Sequence, residues 1–83
     1  MAEIVYTRSS IKELMRIGAV ERARIVAKPE QYAREPASLA NQVTALKGRA
    51  GFRLRVGDYR VIFAADGGHI VVLKAGHRRD VYE

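Results

Sequence analysis

Apolar and polar residues alternate with a period of two through the second half of the chain, and with a helical period near its start. The clearest alternation, GFRLRVGDYRVIF at 51–63, predicts two strands around a Gly57-Asp58 turn. With a further turn at Asp66-Gly67, three strands are expected: Gly51–Val56, Tyr59–Ala64 and His69–Ala75. Glu3 to Arg8 (EIVYTR) is β-rich and predicts a first strand. Ser9 or Ser10 then offers a helix N-cap, with Glu13 at the capping-box spacing from Ser10. Ile11, Leu14, Met15 and Ile17 carry the helical rhythm until Gly18, and a second helix is expected from Ala19 to about Arg34. Pro29 conflicts with that helix, which must either kink there or break and restart. Pro36 ends the helical region, and PASLANQVTALKGRAG reads as a connection. The order β-α-α-β-β-β predicts one α+β domain over 1–83, a mostly antiparallel four-stranded sheet carrying a two-helix hairpin.

A two-residue turn at 57-58 fixes the pairing of its flanks. Phe52, Leu54, Val56, Tyr59, Val61 and Phe63 then share the buried side, with Arg55 opposite Arg60 and Arg53 opposite Ile62 on the other. Like charges directly across strands are destabilising, so these heads either point into water or hold an anion. The turn at Asp66-Gly67 pairs Phe63 with Ile70 and Arg60 with Leu73, which sets residues 71, 73, 75 and 77 on the arginine face. His77 joins that face unless a bulge reverses the parity.

Composition sharpens this picture in one respect. Fifteen basic against nine acidic residues give a net charge of +6, and eleven of the fifteen are arginine. Residues 47–83 carry eight basic and four acidic groups and residues 1–46 seven and five, so the excess sits unevenly. Arginine meets phosphate with a planar, permanently charged fork, and a polyanion or an acidic protein partner is the natural inference. A solvated face accounts for one arginine; three on one face, followed by the basic cluster GHRRDVY, favour a phosphate-binding surface. With no cysteine and two histidines, thiolate chemistry is excluded and a structural zinc site is not expected. No stretch resembles a signal peptide, and the longest purely apolar run, Val61 to Ala65, is too short to span a bilayer. A soluble, cytoplasmic protein is expected.

LKGRAGFRLRVGDYRVIF, followed by a strand and then GHRRDVY, resembles the RelE branch of the RelE/ParE toxin superfamily along essentially the whole chain. The resemblance implies a small toxin encoded with an antitoxin. RelE-type members cleave mRNA on the ribosome without a metal or cofactor, whereas ParE-type members poison DNA gyrase. It assigns Arg53, Arg55 and Arg60 on the hairpin, His77 and Arg78 after the last strand, and Tyr82 near the C-terminus to the catalytic site. Lys47, Arg49, Lys74 and Arg79 are expected to add RNA contacts. Arg78 reaches the arginine face only if the chain turns or bulges near Gly76. The implied reaction is attack of a ribose 2′-hydroxyl on the adjacent phosphate, which needs positive charge at phosphorus and groups that move protons. Where some members carry hairpin lysines this chain has Arg53 and Arg55, and arginine is a poor base. His77 is the expected proton-transfer group, with Tyr82 stacking on a base or assisting. His69 is expected to be structural or exposed. The expected partners are a cognate antitoxin, mRNA and the ribosome, with no membrane. Gyrase replaces them on the ParE-like alternative, and a noncatalytic RNA- or antitoxin-binding member is the third reading.

Overall fold

The computed structural model of the protein describes residues 3–81. Strand β1 (Glu3–Tyr6) leads into helices α1 (Arg8–Met15) and α2 (Ala19–Arg34), then a 3-10 turn (Pro36–Leu39) and strands β2 (Val43–Ala45), β3 (Phe52–Val56), β4 (Tyr59–Asp66) and β5 (His69–His77). The strands form one sheet in the order β1-β5-β4-β3-β2, parallel between β1 and β5 and antiparallel elsewhere. The α+β expectation holds, but the sheet has five strands, not four. The extra strand, β2, lies in the stretch expected to be a connection, and its three residues are too few to show an alternation. Among the described residues no helix is long and apolar enough to cross a membrane.

Helix α1 begins earlier than the serines suggest. Thr7 is its N-cap: its Oγ1 accepts from Ser10 N–H at 3.1 Å, while the buried Ser10 hydroxyl donates to Thr7 O at 2.8 Å. Glu13 is therefore not half of a capping box. Its Oε1 accepts from Ala75 N–H at 3.0 Å, which satisfies β5 where β1 no longer runs beside it. Arg22 Nη1 closes the helical hairpin by donating to the carbonyls of Ile17 at 3.0 Å and Leu14 at 3.3 Å. Helix α2 continues through Pro29, so the break expected as one alternative does not occur. The proline is fully buried, and that burial offsets the lost backbone donor.

Both helices cover one face of the sheet. Leu14, Ile25, Leu39, Leu54, Val56, Val61, Phe63, Ile70, Val72 and Ala75 form the core between them. The phenol of Tyr6 packs at its margin, and its buried hydroxyl has no hydrogen-bond partner among the described residues. Burial, reinforced by the nearby Glu30 carboxylate, raises the Tyr6 pKa above its usual 10.0. A raised folded value means the neutral phenol's contribution is intact below the unfolded pKa of about 10 and is lost as pH rises through the folded value. Tyr6→Phe should therefore raise stability by about 1 kcal/mol at neutral pH and remove that alkaline loss, as read from urea melts at pH 7 and above 10.

The β3–β4 register is the expected one, with Val56 opposite Tyr59, Arg55 opposite Arg60 and Phe52 opposite Phe63. The β4–β5 register is not. The turn falls at Gly67-Gly68, both at positive φ (54° and 86°), and Asp66 pairs with His69. Two successive positive φ values favour the glycine pair over Asp66-Gly67. Phe63 therefore faces Val72 in place of Ile70. A bulge then inserts Leu73, so that Ile62 faces Lys74, Val61 faces Ala75, Arg60 faces Gly76 and Tyr59 faces His77.

Candidate phosphate-binding face

That single extra residue decides which side chains share a surface. Before the bulge, Val71 lies on the outer face, away from the helices, as expected; after it, the parity inverts. Ala75 is buried in the core and His77 shares the helix side with Tyr59, their rings meeting edge-on at 5.7 Å. The expectation that His77 stands among the arginines is thus corrected. Lys74, across from Ile62, takes a place beside them.

Arg53, Arg55 and Arg60 line a small cavity of about 100 Å³ together with Asn41, Gln42 and Thr44. The last three were not among the expected site residues, because they arrive on the unpredicted β2 edge. Arg55 N–H, donating to Gln42 O at 2.9 Å, fastens that edge to the hairpin. Arg60 is steadied by its own turn: Nη1 donates to Gly57 O at 3.3 Å and to Tyr59 O at 3.2 Å. Gly57 takes φ +59°, a left-handed conformation that a side chain would strain.

The same turn positions Arg78. Its backbone N–H donates to Asp58 O at 2.7 Å, and Asp80 N–H to His77 O at 2.8 Å, so the chain leaves β5 by a tight bend past Gly76. Arg78 then acts electrostatically on Arg60. Partial burial lowers the Arg60 pKa, repulsion from Arg53, Arg55 and Arg78 pushes the same way, and Asp58 opposes them. The remaining basic positions are exposed but separate: Lys47 and Arg49 in the β2–β3 loop, Arg79 in the bend with its N–H 3.3 Å from His77 Nδ1. Tyr82 lies outside the described residues.

A family model described as ParE toxin of type II toxin-antitoxin system, parDE, matches residues 4–82. The chain belongs to this toxin family. Solved structures with the same fold include the RelBE2 toxin-antitoxin complex from Mycobacterium tuberculosis (22% identity, TM-score 0.79, covering 93% of this chain and 98% of that one). The archaeal RelE-RelB complex from Pyrococcus horikoshii aligns at 23% identity and TM-score 0.78, over 96% and 98% of the two chains. The intact Escherichia coli RelBE complex aligns at 20% identity and TM-score 0.73, over 93% and 96%. No curated protein sequence matches the chain.

For this toxin, the arrangement has a definite chemical capacity. Guanidinium groups from two strands, β3 and β4, line one small site, and Arg78 in the bend after β5 is near enough to repel Arg60. Such a site is built to hold a phosphate and to stabilise charge developing on it. It does not offer a base, since the guanidiniums remain protonated at neutral pH even with the Arg60 pKa lowered. His77 faces the other way, into a cavity lined by Glu21, Arg24, Gly57, Asp58 and Tyr59.

Proposed function

We propose that the protein is a toxin that cleaves mRNA on the ribosome, held in check by an antitoxin encoded with it. The observation that carries this reading is the convergence of Arg53, Arg55 and Arg60 on one small cavity, with Arg78 near enough to repel Arg60, at a site too small to enclose a metabolite. The ribose 2′-oxygen attacks its own 3′-phosphorus and loses its proton. The P–O5′ bond breaks, and the departing oxygen takes a proton. A 2′,3′-cyclic phosphate and a 5′-hydroxyl remain. The arginines neutralise the charge that builds on the phosphoryl oxygens as the five-bonded phosphorus forms. His77 was the expected proton-transfer group, but it stands beside Tyr59 on the helix side of the sheet, so proton transfer passes to Tyr82, which the resemblance includes in the site. Lys74 lies on the same face to contact the RNA backbone, and exposed Lys47, Arg49 and Arg79 extend the positive field. On this reading the protein works in the cytoplasm, where translation takes place. The antitoxin partner is supported by the solved neighbours, which are themselves toxin-antitoxin complexes.

The chemistry is tested with purified toxin and ribosomes programmed with a defined mRNA. The expected products carry 2′,3′-cyclic phosphate and 5′-hydroxyl ends, and Tyr82→Phe should slow their formation. Products with 5′-phosphate ends would exclude 2′-hydroxyl attack. His77→Asn, which keeps an acceptor for Arg79 N–H, should leave cleavage within roughly threefold of wild type, against the 10²–10⁴-fold loss expected of a general acid or base. A second reading, inhibition of DNA gyrase, is favoured by the family model, whose description is that of ParE. On that reading the arginine face has no catalytic part, and purified protein blocks supercoiling whether or not Arg78 is intact.

A further inference from the structure

Arginine is not the whole lining of the phosphate site. The pairing of β2 with β3 sets Thr44 opposite Arg53 and Val43 opposite Leu54. Val43 packs against the core, so alternation turns Thr44 and Gln42 to the outer face. Gln42 O accepts from Arg55 N–H, which brings Gln42 level with Arg55. Two rows of the sheet therefore end alike. One runs Gly76, Arg60, Arg55, Gln42, and the other Lys74, Ile62, Arg53, Thr44. Each passes from cationic residues to an uncharged polar one at the sheet's edge. Asn41 lies beside them, in the turn that leads into β2. Among the described residues the side chains of Asn41, Gln42 and Thr44 make no hydrogen bond within the protein.

We infer that Asn41 and Gln42 are specificity-determining residues, reading the base of the nucleotide whose phosphate the arginines hold, and that the base they favour is adenine. The inference rests on the mRNA-cleavage reading above. Guanidinium groups only donate and phosphate oxygens only accept, so the arginines match phosphate and leave the rest of the nucleotide unread. A base edge carries donors as well as acceptors. A carboxamide presents one of each side by side, and adenine answers it in kind: N6 donates to the amide oxygen while N7 accepts from the amide nitrogen. Guanine offers two acceptors, O6 and N7, on that same edge. A cavity of about 100 Å³ has no room for a whole nucleotide, so a phosphate seated in it leaves its base at the rim. On the β2 side that rim is the end of the sheet, with no further strand to obstruct a splayed base. Asn41 and Gln42 carry no charge, so they act on discrimination between bases, whereas the arginines hold every RNA alike.

The test uses the full chain and two six-nucleotide RNAs, uridine throughout except for one central adenine or guanine, with binding followed by fluorescence anisotropy. Wild type should bind the adenine RNA roughly 5- to 150-fold more tightly, the worth of one bidentate base contact. Asn41→Ala and Gln42→Met should each narrow that ratio, and together bring the two RNAs within twofold of each other. Both substitutions keep the backbone bonds of Gln42 to Arg55 and Leu39, so the variants should melt like wild type. Arg60→Ala, by contrast, should weaken both RNAs and preserve their ratio. Wild-type binding of the two RNAs within twofold, or a preference that survives in full in the double variant, overturns the inference. Tighter binding of the guanine RNA does so too, since arginine matches guanine's paired acceptors. Failure of wild type to bind either RNA also overturns it. If wild type cleaves no message on the ribosome, the nuclease reading falls while the binding comparison still decides whether Asn41 and Gln42 read a base.

Discussion

Replacing Arg60 by alanine should lower mRNA cleavage by about 10²–10³-fold, the cost of removing one preorganised group that stabilises transition-state charge. Its stability, by contrast, should stay within about 0.5 kcal/mol of wild type. The two results separate because Arg60 sits in a field that opposes its own charge: burial, Arg53, Arg55 and Arg78 all disfavour the guanidinium, against the opposing pull of Asp58. Removing it deletes two hydrogen bonds to its own turn, Gly57 O and Tyr59 O, but relieves that repulsion. Arg60→Lys should fall between wild type and alanine in rate, since it keeps the charge and loses the fork. The same repulsion predicts that inorganic phosphate stabilises the folded wild type, by about 1.4 kcal/mol at ten times its dissociation constant, and that Arg60→Ala loses most of this gain. Thermal melts with and without phosphate, run beside single-turnover cleavage assays, check both halves.

Phe63→Ala should be the most damaging core change. Phe63 is 1% exposed and stands between two other rings, Tyr32 at 5.2 Å and Phe52 at 5.3 Å. Its removal should cost about 3–5 kcal/mol. At roughly 0.05–0.15 kcal/mol per residue, a chain of 83 residues has only about 4–12 kcal/mol in total. Urea titration should therefore show a midpoint far below wild type, and the melting temperature should drop by roughly 12 °C or more. The site should fail with it, because Phe63 borders the bulge, paired with Val72, and its neighbour Ile62 on the other side of it carries the register that sets Lys74 among the arginines.

How much of this was legible in the sequence follows from the range of the signals. The β3–β4 hairpin was, since a two-residue turn fixes every pair beside it, and Arg53, Arg55 and Arg60 fall on one face with no further information. Helix α2 was legible to its ends, although the passage of Pro29 through it depends on burial that no local pattern records. The β4–β5 pairing was not. Asp66, Gly67 and Gly68 permit two adjacent turns, and nothing near Leu73 marks it as the residue the sheet would set out of register. His77 was misplaced for that reason alone. Glu13 shows a different failure: the capping-box spacing was present, but its carboxylate is used by Ala75, sixty-two residues away. Strand β2, with Thr44 and the adjoining Asn41 and Gln42, exists because β3 offers an edge, so its signal lies in the partner strand.

The central claim is that the arginine face performs catalysis on mRNA. Mapping mRNA 5′ ends after induced expression tests it most directly, with Arg78→Ala as control and plasmid supercoiling followed in the same cells. New 5′ ends inside translated messages, absent from Arg78→Ala and accompanied by unchanged supercoiling, are the predicted result. Lost supercoiling with no new ends, or ends that persist at full strength in Arg78→Ala, would contradict it.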